Sequence, residues 1–139
     1  MTVSVLLIDE EDDARATLAD RLRRLRGLEL VGAVRDKQEF ALTLAKTDPD
    51  VVLVDLHGRH WEGDRVQLCN ELHKMASVPL VVLVSFMTRE RWQQLREAGV
   101  TNCLLKQVDS ERLERELVRV GTNHRSGSSA PMAGREKAQ

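Results

Sequence analysis

Short apolar runs that each end at a polar residue recur along the chain. Residues 3–8 (VSVLLI) run into Asp9 and Glu10, residues 51–54 (VVLV) into Asp55, residues 80–84 (LVVLV) into Ser85, and residues 103–105 (CLL) into Lys106. Continuous runs of Val, Ile and Leu of this length are what strands buried on both faces look like. Between them the period changes. Ala14, Leu18, Leu22 and Leu25 form a helical stripe over about 11–26, with an acidic first turn (Glu11, Asp12, Asp13) and a basic last turn (Arg23, Arg24, Arg26), as the helix dipole favours. Gly27 stops it. Residues 28–34 (LELVGAV) read as a second strand, and 37–46 as a short helix burying Phe40, Ala41 and Leu44 before Thr47, Asp48 and Pro49 close it. From Asp55 to Gly63 no period is visible, which reads as a loop. Val66, Cys69, Leu72 and Met75 then repeat at helical spacing over about 64–75, and Trp92, Leu95 and Ala98 over about 89–98, ending at Gly99. A fifth strand is read at 102–105. Leu113, Leu117 and Val120 give a last helix from Ser110 to about Val120, capped by Asp109 or Ser110.

This alternation predicts an α/β fold: a doubly wound, five-stranded parallel sheet with helices on both faces, three layers in all. Right-handed crossovers bring every strand's carboxyl end to one edge, and ligands of such sheets bind in the crevice beyond that edge. Asp9, Glu10, Asp55, Ser85 and Lys106 are therefore expected to converge. From Gly121 onward the apolar rhythm gives way to Gly, Ser and Ala. The expected organisation is one domain over 1–120 and a flexible tail or interdomain linker over 121–139.

Bulk properties narrow the function classes. The chain has 139 residues, 42% hydrophobic and 31% charged, enough for a single domain with a real core. No apolar run approaches the roughly 20 residues needed to span a bilayer, and the N-terminus lacks a basic segment ahead of its apolar stretch. The expectation is a cytoplasmic protein with no membrane partner. A formal net charge of −1 gives no electrostatic reason for nucleic-acid binding by this domain. Cys69 and Cys103 lack the close spacing of a zinc site or redox pair and read as free thiols.

Three acids gathered at one edge raise one another's pKa unless a cation neutralises them. Mg²⁺ suits them: it prefers oxygen ligands, often one or two carboxylates, and keeps waters that a phosphoryl oxygen can displace. Lys106 adds a positive charge and Ser85 a donor for another phosphoryl oxygen, which together make the parts of a phosphoryl-transfer site. No histidine or cysteine ends one of the four runs, and Ser85 has no evident base beside it. A carboxylate can accept a phosphoryl group, and Asp55, at the end of the middle run, is the expected nucleophile.

These residues make the chain similar to the receiver domains of two-component response regulators, which have a flavodoxin-like (βα)5 fold. The resemblance covers residues 3 to about 120. It is carried by the acidic pair Asp9 and Glu10, the acceptor Asp55, the hydroxyl Ser85 and the cation Lys106, in that order and spacing. The resemblance implies that Asp9, Glu10, Asp55 and the backbone carbonyl of His57 hold Mg²⁺. It implies that Asp55 takes its phosphoryl group from a histidine kinase, a phosphotransfer protein or a small-molecule donor. Lys106 would pair with the aspartyl phosphate, and Ser85 would move to bond it. A homodimer and a downstream effector or DNA-binding domain beyond the tail are further partners it leaves open, with transcription as one output.

The chain departs from the family pattern in three places. Gly58 and Arg59 follow the acceptor where the family usually has methionine and proline, while Gly63 keeps the place of the family's loop glycine. Gln107 replaces the proline after the lysine, which puts the cis peptide expected there in question, and Cys103 stands where a switch aromatic is common. These changes favour an alternative, a degenerate receiver acting as a phosphorylation-independent interaction module. A Mg²⁺-dependent phosphohydrolase and a transition-metal set of His57, His60 and Asp55 are weaker readings. Trp61 is expected to pack over the rim of the site. Trp92, beside Phe86 and Met87, is expected either in the core or on a face used for partners.

Overall fold

A computed structural model describes residues 2–57 and 62–129. Ten elements alternate along the chain: β1 (Val3–Ile8), α1 (Asp12–Arg23), β2 (Leu28–Val34), α2 (Lys37–Leu44), β3 (Val51–Asp55), α3 (Glu62–Met75), β4 (Leu80–Val84), α4 (Arg89–Glu97), β5 (Val100–Leu105) and α5 (Ser110–Ser129). The strands form one sheet in the order β2-β1-β3-β4-β5, and every neighbouring pair is parallel. This is the flavodoxin-like arrangement expected from the sequence.

The period-2 alternation of the strands divides the core in two. Leu6, Ile8, Val52, Val54, Leu80, Val82 and Val84 pack with Phe40, Cys69, Leu72 and Leu95 under α2, α3 and α4. Val3, Val5, Leu7, Val51, Leu53, Val81 and Leu83 pack with Leu18, Leu22, Leu113 and Leu117 under α1 and α5. Both faces of the central strands are thus dry, which is why their sequences are uninterrupted apolar runs. Side chains close the starts of α2, α4 and α5: Asp36 accepts from the Glu39 amide, Thr88 from the Arg91 amide and Asp109 from the Arg112 amide. Gly99 adopts φ +107, a conformation that side chains disfavour, and a Cβ there would strike the His73 ring. Cys69 is buried and Cys103 half-buried; both are free thiols, pushed up by burial to about 12 and about 11. Among the described residues no peptide bond is cis.

Most element bounds fall within a few residues of where the apolar pattern put them: α1 ends at Arg23, ahead of the expected 26, and β5 starts at Val100, ahead of the expected 102. Two further differences bear on the site and the tail. Helix α3 starts at Glu62, so Gly63 belongs to a helix and not to the loop. Helix α5 continues to Ser129 and does not end near Val120. The cause is tertiary. Gly121 is buried against the Val3 side chain, where a Cβ would collide. One turn on, Arg125 donates to both carboxylate oxygens of Asp50 at 2.9 and 2.6 Å and to the Thr2 carbonyl at 2.7 Å. Helices draw most of their stability from such packing and not from intrinsic propensity. The readings made for Gly58, Arg59, His60, Trp61 and residues 130–139 lie outside the described residues.

Candidate functional site

The sheet register brings the acids together. Ile8 pairs with Val54, so the next residues of β1 and β3, Asp9 and Asp55, leave the edge side by side. The ladder holds them there: Asp9 N donates to Val34 O at 2.9 Å, Leu56 N to Leu83 O at 3.0 Å, and Lys106 N to Val84 O at 2.8 Å. Lys106 leaves the sheet two strands from β3, and its long side chain spans that gap. Its Nζ lies 2.9 Å from Asp55 Oδ1. That approach is a charge contact outside hydrogen-bond angles, so buried Asp55 Oδ1 has no hydrogen-bond partner.

Between the carboxylates stands the imidazole of His57. Its Nε2 is 2.7 Å from Asp9 Oδ1 and 3.5 Å from Asp55 Oδ2, and its Nδ1 is 3.2 Å from Lys106 Nζ. An ammonium only donates, so Nδ1 accepts and Nε2 carries the proton that Asp9 receives. Asp9 Oδ1 also accepts from the Glu11 amide at 3.0 Å, while Oδ2 is buried with no partner. The Asp9 carboxyl is pushed up to about 6, first by burial and then by the Asp55 carboxylate beside it, against the Glu11 amide and His57, which hold it down. Shallow clefts open on either side of Asp55, one lined by Asp9, Glu10 and Arg65, the other by Lys106, Leu83 and the first turns of α1.

The structure therefore joins four of the expected residues, Asp9, Asp55, His57 and Lys106, and leaves two apart. Glu10 turns to Arg65, whose guanidinium meets it at 3.0 and 2.7 Å. Ser85 is exposed at the end of β4, lining a groove with Phe86, Met87, Trp92 and Cys103. His57 takes part through its ring, while its carbonyl accepts from Arg65 Nε at 3.1 Å. Arg65 was not singled out in the sequence. It sits unmarked next to Val66 in the α3 stripe, and only the fold shows that it faces β1.

A family model for the response regulator receiver domain matches residues 5–118. The chain belongs to the response regulator receiver family. This receiver is 32% identical over 106 residues to the transcriptional regulatory protein LiaR of Bacillus subtilis, covering 75% of this chain and 49% of that one. To the transcriptional regulatory protein PdtaR of Mycobacterium tuberculosis it is 34% identical over 102 residues, covering 73% and 48%. It spans about half the length of these curated relatives. Among solved structures, the signal receiver domain of a modulated diguanylate cyclase from Desulfovibrio desulfuricans superposes with a TM-score of 0.70 at 25% identity, covering 90% of this receiver and 98% of that chain. The receiver domain of NarL from Mycobacterium tuberculosis superposes at 0.71 and 16% identity, covering 87% and 97%, a likeness of fold.

Does the site suit the divalent ion that the family implies? Asp9 and Asp55 supply adjacent carboxylates, and Asp9 Oδ2 is a buried acceptor with nothing to accept from. An unsatisfied buried oxygen is costly, and a hard cation is the partner that would satisfy it. The donor set fits.

Proposed function

We propose that this receiver is a phosphoacceptor switch of a two-component system, in which Asp55 accepts a phosphoryl group from a histidine kinase or phosphotransfer protein. The observation that carries the reading is the pairing of a buried, reachable carboxylate with a lysine 2.9 Å away at a strand-end crevice. Asp55 attacks phosphorus as the donor's P–N bond breaks, or the P–O bond of an acyl phosphate, and the new P–O bond makes the aspartyl phosphate. Lys106 offsets the charge on the transferred oxygens. Asp9, Asp55, Glu10 and the His57 carbonyl are the residues that would hold Mg²⁺, whose chemistry there is neutralising charge on the phosphoryl oxygens. Glu10 must first leave Arg65. Ser85 would turn inward to bond the phosphoryl group. A charge-assisted bond contributes about 1.5–3 kcal/mol, enough to shift a two-state equilibrium whose states differ by a few kcal/mol.

The two transcriptional regulatory relatives support transcription as the output, through an effector joined after α5, and a cytoplasmic site of action is consistent with that output. Among the described residues no helix is long and apolar enough to cross a membrane. A second reading, the phosphorylation-independent module, has one observation in its favour: the His57 ring bonds both Asp9 and Lys106 and closes the site internally.

Incubation with acetyl phosphate and Mg²⁺ separates the two. The switch gains the mass of one phosphoryl group, and Asp55→Asn does not. Beryllofluoride with Mg²⁺ then changes the spectrum of the wild type only. An unmodified, spectrally silent wild type leaves the interaction module.

A further inference from the structure

The Arg65 side chain and the His57 ring have divided the labour at residue 57 in an unexpected way. The carbonyl faces Arg65, and the imidazole faces the acids. One nitrogen and two carboxylates thus present ligand atoms that all lie within 4.8 Å of one another. Nε2 is 2.7 Å from Asp9 Oδ1 and 3.5 Å from Asp55 Oδ2. An ion about 2.1 Å from each of two donors separates them by about 3.0 Å at a right angle and about 3.4 Å at a tetrahedral one. The observed spacings bracket the edges of a coordination polyhedron. Asp9, 1% exposed, adds the second oxygen Oδ2, buried and without a hydrogen-bond partner.

We infer that the His57 imidazole is a metal ligand, giving this site a nitrogen-plus-two-carboxylate donor set that takes a divalent first-row transition ion such as Mn²⁺ in preference to Mg²⁺. Imidazole suits transition ions, whereas magnesium favours oxygen alone. Binding needs no net loss of a proton from the ring. The Nε2 proton is given up to solvent and one is taken at Nδ1, so that the Nε2 lone pair turns to the ion. Lys106, which now donates to Nδ1, withdraws to Asp55 Oδ1, where it already lies at 2.9 Å. The inference rests on the reading that Asp9 and Asp55 hold a divalent cation, and it is independent of phosphorylation.

The test is Mn²⁺ binding to the whole chain, followed by paramagnetic resonance. Bound Mn²⁺ is expected to show a nitrogen hyperfine coupling that changes when histidine carries the heavy nitrogen isotope, a readout that needs no variant. His57→Asn is expected to remove the coupling and to lower the Mn²⁺-over-Mg²⁺ affinity ratio by about 10- to 100-fold, while His73→Asn, at the residue whose ring lies against Gly99, keeps both. Bound Mn²⁺ without nitrogen coupling, or coupling that survives His57→Asn, overturns the inference and leaves the phosphoacceptor reading standing. No binding of either ion overturns the inference and the metal part of the proposed function together.

Discussion

At the amino edge of the sheet Asp50, 8% exposed, has both carboxylate oxygens occupied, by the Ser4 amide at 2.9 Å and by Arg125 at 2.9 and 2.6 Å. At the carboxyl edge Asp9, 1% exposed, keeps Oδ2 without a partner and lies beside a second carboxylate. Burial opposes ionisation in both, but the Arg125 and Ser4 hydrogen bonds hold Asp50 below its ordinary range, whereas burial and Asp55 push Asp9 up to about 6. One acid is a structural clasp, satisfied by the fold itself. The other keeps a buried oxygen without a hydrogen-bond partner, which the proposed cation would satisfy. An unsatisfied charge at a site that could have been paired marks function, because folding alone gives no reason to keep it.

The largest effect expected is on the clasp. Asp50→Asn should cost about 1.5–3 kcal/mol in urea unfolding at neutral pH, the worth of charge-assisted hydrogen bonds. A lowered folded pKa contributes stability above the unfolded value of 3.8 that is lost as pH falls through the folded one. The deficit should therefore shrink below pH 3.8. A deficit that persists in acid would mean that shape, not charge, ties α5 to β3.

The ligand-ready acid should respond with opposite sign. Without metal, Asp9→Asn should stabilise the receiver by about 0.5–2 kcal/mol at neutral pH, as removal of strain from a functional site commonly does. A raised folded pKa means that the protonated form stabilises the fold; that stability is complete below 3.8 and is lost as pH rises through about 6. The variant's advantage should open across that window and be absent below it. Mg²⁺ should stabilise the wild type by mass action and do less for Asp9→Asn. A neutral-pH loss of stability in the metal-free variant would make Asp9 another clasp and end the contrast.

The sequence disclosed the carboxyl edge better than the amino edge, for a physical reason. Asp9, Asp55 and Lys106 each break an apolar run, so their place at a strand end is written in the local pattern. Asp50 and Arg125 are separated by 75 residues, and nothing local pairs them; the segment around Arg125 is rich in Gly and Ser and reads as tail. The buried Gly121 against Val3 and the Asp50 clasp are long-range contacts that favour the helix there. Arg65 and the ring of His57 were hidden differently. Their residue types were visible, but which side of residue 57 faces the acids depends on where α3 lies against β1. Ser85, by contrast, was legible as a strand end and yet stands exposed. The role proposed for it requires a rearrangement that a sequence pattern does not encode.

The contrast can be sharpened by titration. Because Asp9 takes up a proton at about pH 6, Mg²⁺ affinity measured calorimetrically should fall by at most about tenfold per pH unit below that point, one proton displaced per ion. A flat profile would remove Asp9 from the ligand set.

The smallest effect belongs to Arg65, which engages Glu10 and the His57 carbonyl together. Glu10 is half exposed, and exposed ion pairs contribute only about 0.2–1 kcal/mol, so Arg65→Gln should barely change unfolding. Yet the two groups it engages are expected Mg²⁺ ligands, and an ion must draw them away from the guanidinium before binding them. Arg65→Gln should therefore tighten Mg²⁺ while leaving the Asp50 clasp and its pH dependence untouched. If affinity falls instead, Arg65 positions Glu10 for the ion, and the carboxyl edge contains more of its own scaffolding than the unpartnered oxygen of Asp9 suggests.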